Sequence, residues 1–195
     1  MPIVGQFGSL AGLGSLILPG GAMESIATIT VGSGGAANVE FTSIPSNFQH
    51  VQIRGLLKDS GTSPERTIAM RVGNASVDTG SNYAEHMLYG NGSTASASAV
   101  TSASQINATN IVPYASQTSI FAALVIDILD YSSTSKYKTI RMLAGYDSNG
   151  AGTVGIFSGL WMSTSAVDTI RLGTRSGFAG TVAQYSTFAL FGVRA

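Results

Sequence analysis

The residues whose chemistry could serve a reaction are few and scattered. The 195-residue chain has two histidines, no cysteine and ten acidic residues. His86 ends the string Asp78-Thr-Gly-Ser-Asn-Tyr-Ala-Glu-His86, so Asp78, Glu85 and His86 could ligate a metal or form an acid–base pair. No HxH or HExxH spacing accompanies them, and further ligands would have to come from elsewhere. The sequence therefore favours a packing or hydrogen-bonding role for His86.

Two other acidic groups invite comparison with known sites. Asp127 and Asp130 flank Ile128-Leu129 at the end of an apolar run, and a paired-carboxylate hydrolase would hold two such groups about 5–10 Å apart. Their spacing is more typical of a strand end that enters a turn. Asp147-Ser-Asn-Gly150 resembles half of a calcium loop but lacks the later acidic ligands. His50 is expected to be a polar residue at a strand edge. The sequence thus predicts no catalytic residue, no cofactor and no metal.

The serine, glycine and aromatic residues give no stronger indication of a catalytic or binding site than the acidic residues and histidines do. No Gly-x-Ser-x-Gly stands on a strand-to-helix turn, and Gly32-Ser-Gly-Gly35 is interpreted as a hairpin turn because neither a lysine nor a helix follows it. Trp161 lies in an apolar strand, which favours core packing. Exposed tyrosines such as Tyr83, Tyr89 or Tyr114 could stack on sugar rings.

Composition narrows the classes of function. Charged residues make up 10% of the chain and the formal net charge is zero, with no basic cluster, so nucleic acid is excluded as an expected partner. The hydrophobic fraction is 44%, which is too high for a disordered chain. Without cysteine there is no disulfide, thiolate chemistry or cysteine-based zinc site. A weakly charged surface rich in Ser, Thr, Gly, Ala and Asn suits a protein that packs against neighbours.

Short apolar runs separated by Gly, Ser, Asn and Pro predict the elements that position these residues. The predicted strands are 22–31, 37–42, 50–57, 66–72, 104–112, 119–128, 137–144, 153–162, 169–173 and 184–193. Alternation in 50–57 and 67–71 predicts strands with one buried face, as Ile68 and Met70 alternate with Thr67, Ala69 and Arg71. Residues 82–89 could form a helical turn, and 94–104 a loop or frayed edge. The predicted fold class is all-β, an antiparallel β-sandwich or jelly roll with an extended N-terminal arm.

The first 21 residues are apolar, rich in glycine and free of charge. No Lys or Arg precedes Arg54 and the longest apolar run is three residues, so neither a secretory signal nor a membrane span is expected. The interpretation is an arm over 1–21 that packs on a neighbouring subunit, preceding a β-sandwich domain over 22–195. Packing on its own domain and disorder are the alternatives. The expected partner-binding residues are Ile3, Val4, Phe7, Leu10, Leu13, Leu16, Ile17 and Leu18.

Several segments together resemble a known family. These are Ser25 to Gly35, Phe41-Thr-Ser-Ile-Pro45, His50-Val-Gln-Ile-Arg-Gly55, Thr79-Gly-Ser-Asn-Tyr83 with His86, Lys136-Tyr-Lys-Thr139 and Phe188-Ala-Leu-Phe-Gly192. They are similar to β-rich structural proteins of tailed bacteriophages, over most of residues 22–194. The resemblance implies a non-enzymatic β-sandwich of the virion, of the kind described as tail-fibre, minor tail or head-decoration proteins. It carries over no catalytic residue and leaves the arm uncovered.

The expected function follows from both lines of reasoning. It is a virion structural protein, a capsid decoration or cement protein on the exterior of the particle. Its expected partners are itself, as a closed homo-oligomer such as a trimer, and the major capsid protein or another virion protein, with no membrane. The alternative is a tail-fibre or tail-tip protein that binds a host-surface glycan. A third reading, a capsule depolymerase, would need acids that converge in a groove.

Overall fold

The computed structural model describes residues 21–62 and 67–194 as two antiparallel sheets packed face to face. In chain order the strands are β1 (Met23–Thr30), β2 (Val39–Phe41), β3 (His50–Leu57), β4 (Ile68–Asn74), β5 (Ser76–Val77), β6 (Tyr83–Gly90), β7 (Ala95–Ala103), β8 (Ile106–Ala108), β9 (Ala122–Ile128), β10 (Lys138–Asp147), β11 (Gly152–Trp161), β12 (Thr169–Thr174) and β13 (Thr187–Val193). The large sheet has the order β1-β13-β3-β9-β10-β11-β6-β7. The small sheet has the order β2-β12-β4-β5, and β8 pairs with β4. The predicted all-β sandwich is confirmed.

Two tight turns set the register of the central hairpins. Between β10 and β11, Asn149 and Gly150 have φ angles of 56° and 120°, values that asparagine and glycine tolerate best. The two strands then pair without a register shift from Asp147 opposite Gly152 to Lys138 opposite Trp161. Between β6 and β7, the Asn91 side chain accepts hydrogen bonds from the two backbone amides that follow Gly92. Both turns contain an Asn-Gly pair, which is typical of tight hairpin turns.

The core lies between the sheets and is built from one side of each strand. The large sheet contributes fully buried side chains such as Ile53, Ile126 and Phe188, and the small sheet contributes Met70 and Ile170. In β10 buried and outward residues alternate strictly over most of the strand, because successive side chains point to opposite faces. The other side of each large-sheet strand, which we call its outward side, therefore faces away from the core.

Two segments differ from their predicted structure. Residues 82–89, expected as a helical turn, form most of β6. Residues 94–104, expected as a loop or a frayed edge, contain β7, the edge strand of the large sheet. Both belong to one hairpin, whose cross-strand pairing outweighs the weak strand propensity of its Ala and Ser residues. The strand expected at 104–112 is only three residues long, Ile106–Ala108. In the described part of the chain the helical structure is one 3-10 turn, Ser176–Phe178, and no helix there is long and apolar enough to cross a membrane.

Two further expectations are wrong: that Ala69 lies on an exposed side of its strand, and that Gly32 to Gly35 form a hairpin turn. In β4, Ala69 is as fully buried as Ile68 and Met70, because the aromatic ring of Phe178 covers the outward side of the small sheet. The turn at Gly32 to Gly35 does not form a hairpin. It connects β1 of the large sheet to β2 of the small sheet, so the chain changes layer at this point.

Candidate assembly surface

The three residues weighed as a metal or acid–base site do not converge. Glu85 and His86 are consecutive in β6, so they face opposite sides: Glu85 is buried and His86 is exposed. Asp78 accepts hydrogen bonds from the Trp161 indole at 2.8 Å and from the Asn82 amide at 2.9 Å. Burial alone would raise the pKa of Asp78, but these hydrogen bonds outweigh it and hold the pKa below its ordinary value. Across residues 21–62 and 67–194, no group of three or more His, Cys, Asp or Glu residues is placed to hold a metal ion.

Asp127 and Asp130 each have a separate cation. Asp127 lies on the outward side of β9 and accepts hydrogen bonds from Gln52 at 2.7 Å and Arg141 at 2.9 Å. These bonds outweigh the effect of burial and lower the pKa of Asp127. Asp130 lies in the turn after β9, where the Lys136 ammonium 2.6 Å away lowers its pKa. Both carboxylates are therefore held ionised, and neither is suited to act as a proton donor at neutral pH.

The remaining polar candidates have structural partners. His50 begins β3, and its Nδ1 accepts a hydrogen bond of 3.0 Å from the backbone amide of Asp130, as expected for a strand-edge position. Trp161 is 3% exposed, which confirms core packing. The Asp147 carboxylate accepts a 2.7 Å hydrogen bond from the backbone amide of Asn149, which places it in a hairpin turn.

Lys138 is a buried cation that the sequence analysis did not single out. It is fully buried beside the Trp161 ring, and its Nζ donates to the carbonyl oxygens of Lys136 at 2.7 Å and Thr164 at 3.4 Å. Burial lowers the pKa of Lys138, and the nearby charge of Asp130 acts in the opposite direction. The two carbonyls belong to the segments that enter and leave the open end of the β10–β11 hairpin, so Lys138 joins these segments and has a structural role.

The three tyrosines considered as sugar platforms have different environments. Tyr83 is fully buried and its hydroxyl donates a 2.8 Å hydrogen bond to the carbonyl of Val72, so its use as an exposed platform is wrong. Burial also raises the pKa of Tyr83. Tyr89 and Tyr114 are both half-buried; Tyr89 lines a cleft, and Tyr114 lies in the segment before β9.

The predicted partner-binding residues, Ile3, Val4, Phe7, Leu10, Leu13, Leu16, Ile17 and Leu18, lie outside the described residues. The division into an arm over 1–21 and a domain over 22–195 stays a prediction.

The most unusual surface is the outward side of the large sheet, which carries rows of exposed apolar side chains. In one row Leu88, Ile156, Leu143 and Val125 are cross-strand partners on neighbouring strands. In the next row Val154 pairs with Gly145, which pairs with Ala123, which in turn pairs with Leu56. Directly paired residues share one face of a sheet, so these side chains are contiguous. We call this surface the apolar face. It comprises Leu56, Leu88, Ala123, Val125, Leu143, Val154 and Ile156.

The apolar face differs from scattered exposed apolar residues because its side chains adjoin one another across neighbouring strands. Five of its side chains, Leu56, Leu88, Leu143, Val154 and Ile156, are each between 48% and 61% exposed. Isolated exposed leucines are ordinary on protein surfaces, but contiguous apolar patches mark interaction sites. The surface is therefore suited to contact with another apolar surface.

A depression of about 720 Å³ lies within the apolar face, where Gly145 and Gly90 flank the side chain of Val154. A Cβ atom on Gly145 would lie 2.5 Å from the carbonyl oxygen of Thr153, so the position cannot take a larger residue without a shift of the backbone. The hairpin turns at Asn91 and Gly150 form part of its wall. Asp147 is the one charged residue among those that line it. The depression is thus a nearly uncharged recess.

On the same side of the sheet, the row that adjoins Leu143 and Ile156 on the side away from Val154 is polar. Here His86 pairs with Ser158, Ser158 with Arg141, and Arg141 with Asp127. The ion pair between Arg141 and Asp127 closes this row, and Gln52 adds a hydrogen bond to the same carboxylate. The apolar face is therefore bounded on one side by a hydrogen-bonded strip.

This surface contains no catalytic or metal-ligating residue type, so the sequence analysis did not single it out. The signal was present in β10 and β11, where apolar residues occupy both alternating positions. Met142 and Phe157 are buried, while their neighbours Leu143 and Ile156 are exposed. A strand with one solvated face should alternate apolar and polar residues, so an apolar run in an antiparallel sheet indicates a second covered side.

The comparisons with known proteins give no relative. No protein-family model, no curated protein and no solved structure matches the chain.

Proposed function

We propose that this chain is a non-enzymatic virion structural protein of a tailed bacteriophage, a capsid decoration or cement protein. It acts on the exterior of the particle as a homo-oligomer and stabilises the shell through contacts between subunits and through its N-terminal arm. The resemblance of the β-strand segments to phage structural proteins supports the class. The apolar face supports assembly as the activity.

The single observation that carries the proposal is the exposure of the apolar face. In an isolated subunit Leu88, Val154 and Ile156 are each more than half exposed. Covering apolar surface is favourable by about 25 cal/mol per Å², so several such side chains drive association when a matching surface is present. Low overall charge weakens repulsion between copies, which helps close packing in a shell.

The test combines the full chain with capsids of the encoding phage that have been prepared without this protein. Sedimentation velocity gives the oligomeric state, and cosedimentation with the capsids gives the occupancy. We expect a defined oligomer, saturable binding at a stoichiometry set by the shell symmetry, and capsids that resist heating better when occupied. A monomer at tens of micromolar that leaves the capsids bare would overturn the proposal. A chain starting at residue 22, checked for folding by its melting curve, tests the arm and should lose occupancy.

A second candidate function, binding of a host-surface glycan by a tail-fibre or tail-tip protein, has one observation in its favour. A cleft of about 540 Å³ lies between the β6–β7 hairpin and the segment formed by β8 and the residues that follow it. Its lining includes Tyr89, Glu85, Asn107 and Asn110, an aromatic ring with hydrogen-bonding groups of the kind that sugars use. A glycan array probed with the full chain tests it. Selective binding that Tyr89→Ala removes, while the fold is retained, would favour this function over decoration.

A further inference from the structure

We infer that the N-terminal segment, residues 1–20, of one copy of this chain packs into the depression around Gly145 on the apolar face of a second copy. The inference rests on the proposed function, since it names the partner and the place of the assembly contact. It commits to one occupant, the arm of another subunit.

The first argument is chemical matching. Residues 1–20 contain no charged side chain and carry eight large apolar residues interrupted by small ones. The depression offers apolar side chains such as Leu143, Val125 and Val154, and Asp147 is the one charged group along it. A charged or strongly polar occupant would leave its groups unpaired there, at a cost of desolvation. An uncharged apolar segment satisfies the recess without that cost.

The second argument is length. Strands in a sheet lie about 4.8 Å apart, so the five steps from β1 to β11 span about 24 Å. Twenty extended residues reach about 66–72 Å. The segment is long enough to cross the sheet and enter a depression on either its own subunit or a neighbour.

The third argument concerns the end of β1 at which the segment joins the sheet, and it favours a neighbouring subunit over the segment's own subunit. Thr30, at the end of β1, pairs with Thr187, which pairs with Leu56 of the apolar face. The apolar rows are therefore level with the C-terminal end of β1. Gly21 lies at the other end, where Met23 pairs with Val193. A segment that precedes Gly21 would have to reverse its course to reach its own apolar face, whereas a second copy placed beyond that end is reached without a reversal.

The experiment exploits the absence of cysteine in the natural chain. Full-length Leu13→Cys and full-length Val154→Cys are purified separately, mixed and oxidised with copper phenanthroline. Mass spectrometry then identifies the disulfide between positions 13 and 154. The matched control replaces Val154→Cys by Ser165→Cys, an exposed position between β11 and β12. Both cysteine sites are on the surface, and melting curves check that each variant folds.

We expect at least tenfold more 13–154 disulfide than 13–165 disulfide between copies. Equal yields at the two positions would overturn the inference. A 13–154 disulfide formed only within single chains of the Leu13→Cys/Val154→Cys double variant would also overturn it. The state of assembly separates the two proposals. An oligomer without the 13–154 disulfide refutes the docking site and leaves the proposed function standing, whereas a monomer without it refutes both.

Discussion

The outward sides of the two sheets differ in how they are covered. On the small sheet Arg171 pairs with Glu40 at 2.8 Å, and Arg71 lies 5.0 Å from the ring of Phe178. On the large sheet, the exposed Leu143 and Ile156 have no such covering from the described residues. Within the subunit, charged and aromatic groups cover the outward side of the small sheet, whereas apolar side chains remain exposed on the outward side of the large sheet.

The largest effect should come from breaking a buried ion pair that joins the segment after β3 of the large sheet to the segment after β12 of the small sheet. Asp59 is 1% exposed, and Arg175, which follows β12, binds both of its oxygens at 2.9 and 3.1 Å. In Asp59→Ala the Arg175 guanidinium loses its partner. We therefore expect the free energy of unfolding, measured in denaturant, to fall by about 3–5 kcal/mol. The control is Glu24→Ala, which breaks the exposed pair with Arg194 and should cost less than about 1 kcal/mol. Equal losses in the two variants would contradict a structural role for this pair.

The next effect should fall on association and spare stability. Ile156→Lys places a charge in the centre of the apolar face, where the native side chain is 56% exposed. Losing the burial of one isoleucine costs about 1.5–3 kcal/mol, so association measured by sedimentation should weaken roughly 10- to 100-fold. Stability of the subunit should change by less than about 0.5 kcal/mol.

Ser158→Lys is the matched control for this experiment. It adds the same charge two residues along β11, on the same side but in the polar row beside Arg141. It should leave association close to that of the natural chain. If both lysines weaken association equally, charge rather than the apolar face controls assembly, and the contrast between the two outward sides loses its meaning.

A smaller effect should come from the ion pair on the outward side of the small sheet. Arg171 and Glu40 are 30% and 28% exposed, and the pair joins β12 to β2. Arg171→Ala should lower the free energy of unfolding by about 0.5–1.5 kcal/mol and leave association unchanged. A double-mutant cycle with Glu40→Ala isolates the pair. A weakened oligomer in this cycle would assign the small-sheet side to assembly as well.

The fold class was predictable because most strands show their period and their turns. Residues 50–57 form β3 with the expected bounds, and Val51 and Ile53 face the core as their alternation predicts. The β6–β7 hairpin was not predictable from local pattern. Ala95-Ser-Ala-Ser-Ala has little strand propensity, and it becomes a strand only because β6 offers a partner across the Asn91 turn.

The candidate surface was harder to predict than the fold. Which of two adjacent apolar residues faces outward depends on register, and register depends on pairing between distant strands. Leu143 and Ile156 become neighbours only through the β10–β11 hairpin. The metal or acid–base site weighed at Asp78, Glu85 and His86 does not form for a related reason: Glu85 and His86 are adjacent in sequence, and in a strand this puts them on opposite sides of the sheet.

The smallest predicted effect concerns the inner side of the large sheet, where a carboxylate is buried near its edge. Glu85 is 3% exposed and accepts a hydrogen bond from the backbone amide of Asn107. Burial raises the pKa of Glu85, and this hydrogen bond opposes the shift only in part. A raised pKa in the folded state contributes stability that is fully present below the pKa of the unfolded chain. That contribution is lost as the pH rises through the folded value.

Glu85→Gln keeps the acceptor oxygen and removes this titration, so its stability relative to the natural chain should increase as the pH rises from about 4 to 7. Denaturant unfolding at several pH values measures the difference, which should be smallest at the acid end. A difference that shrinks with rising pH would show that the ionised carboxylate stabilises the fold. In that case the inner side of β6 would belong with the small-sheet side, as another place where charge completes the subunit.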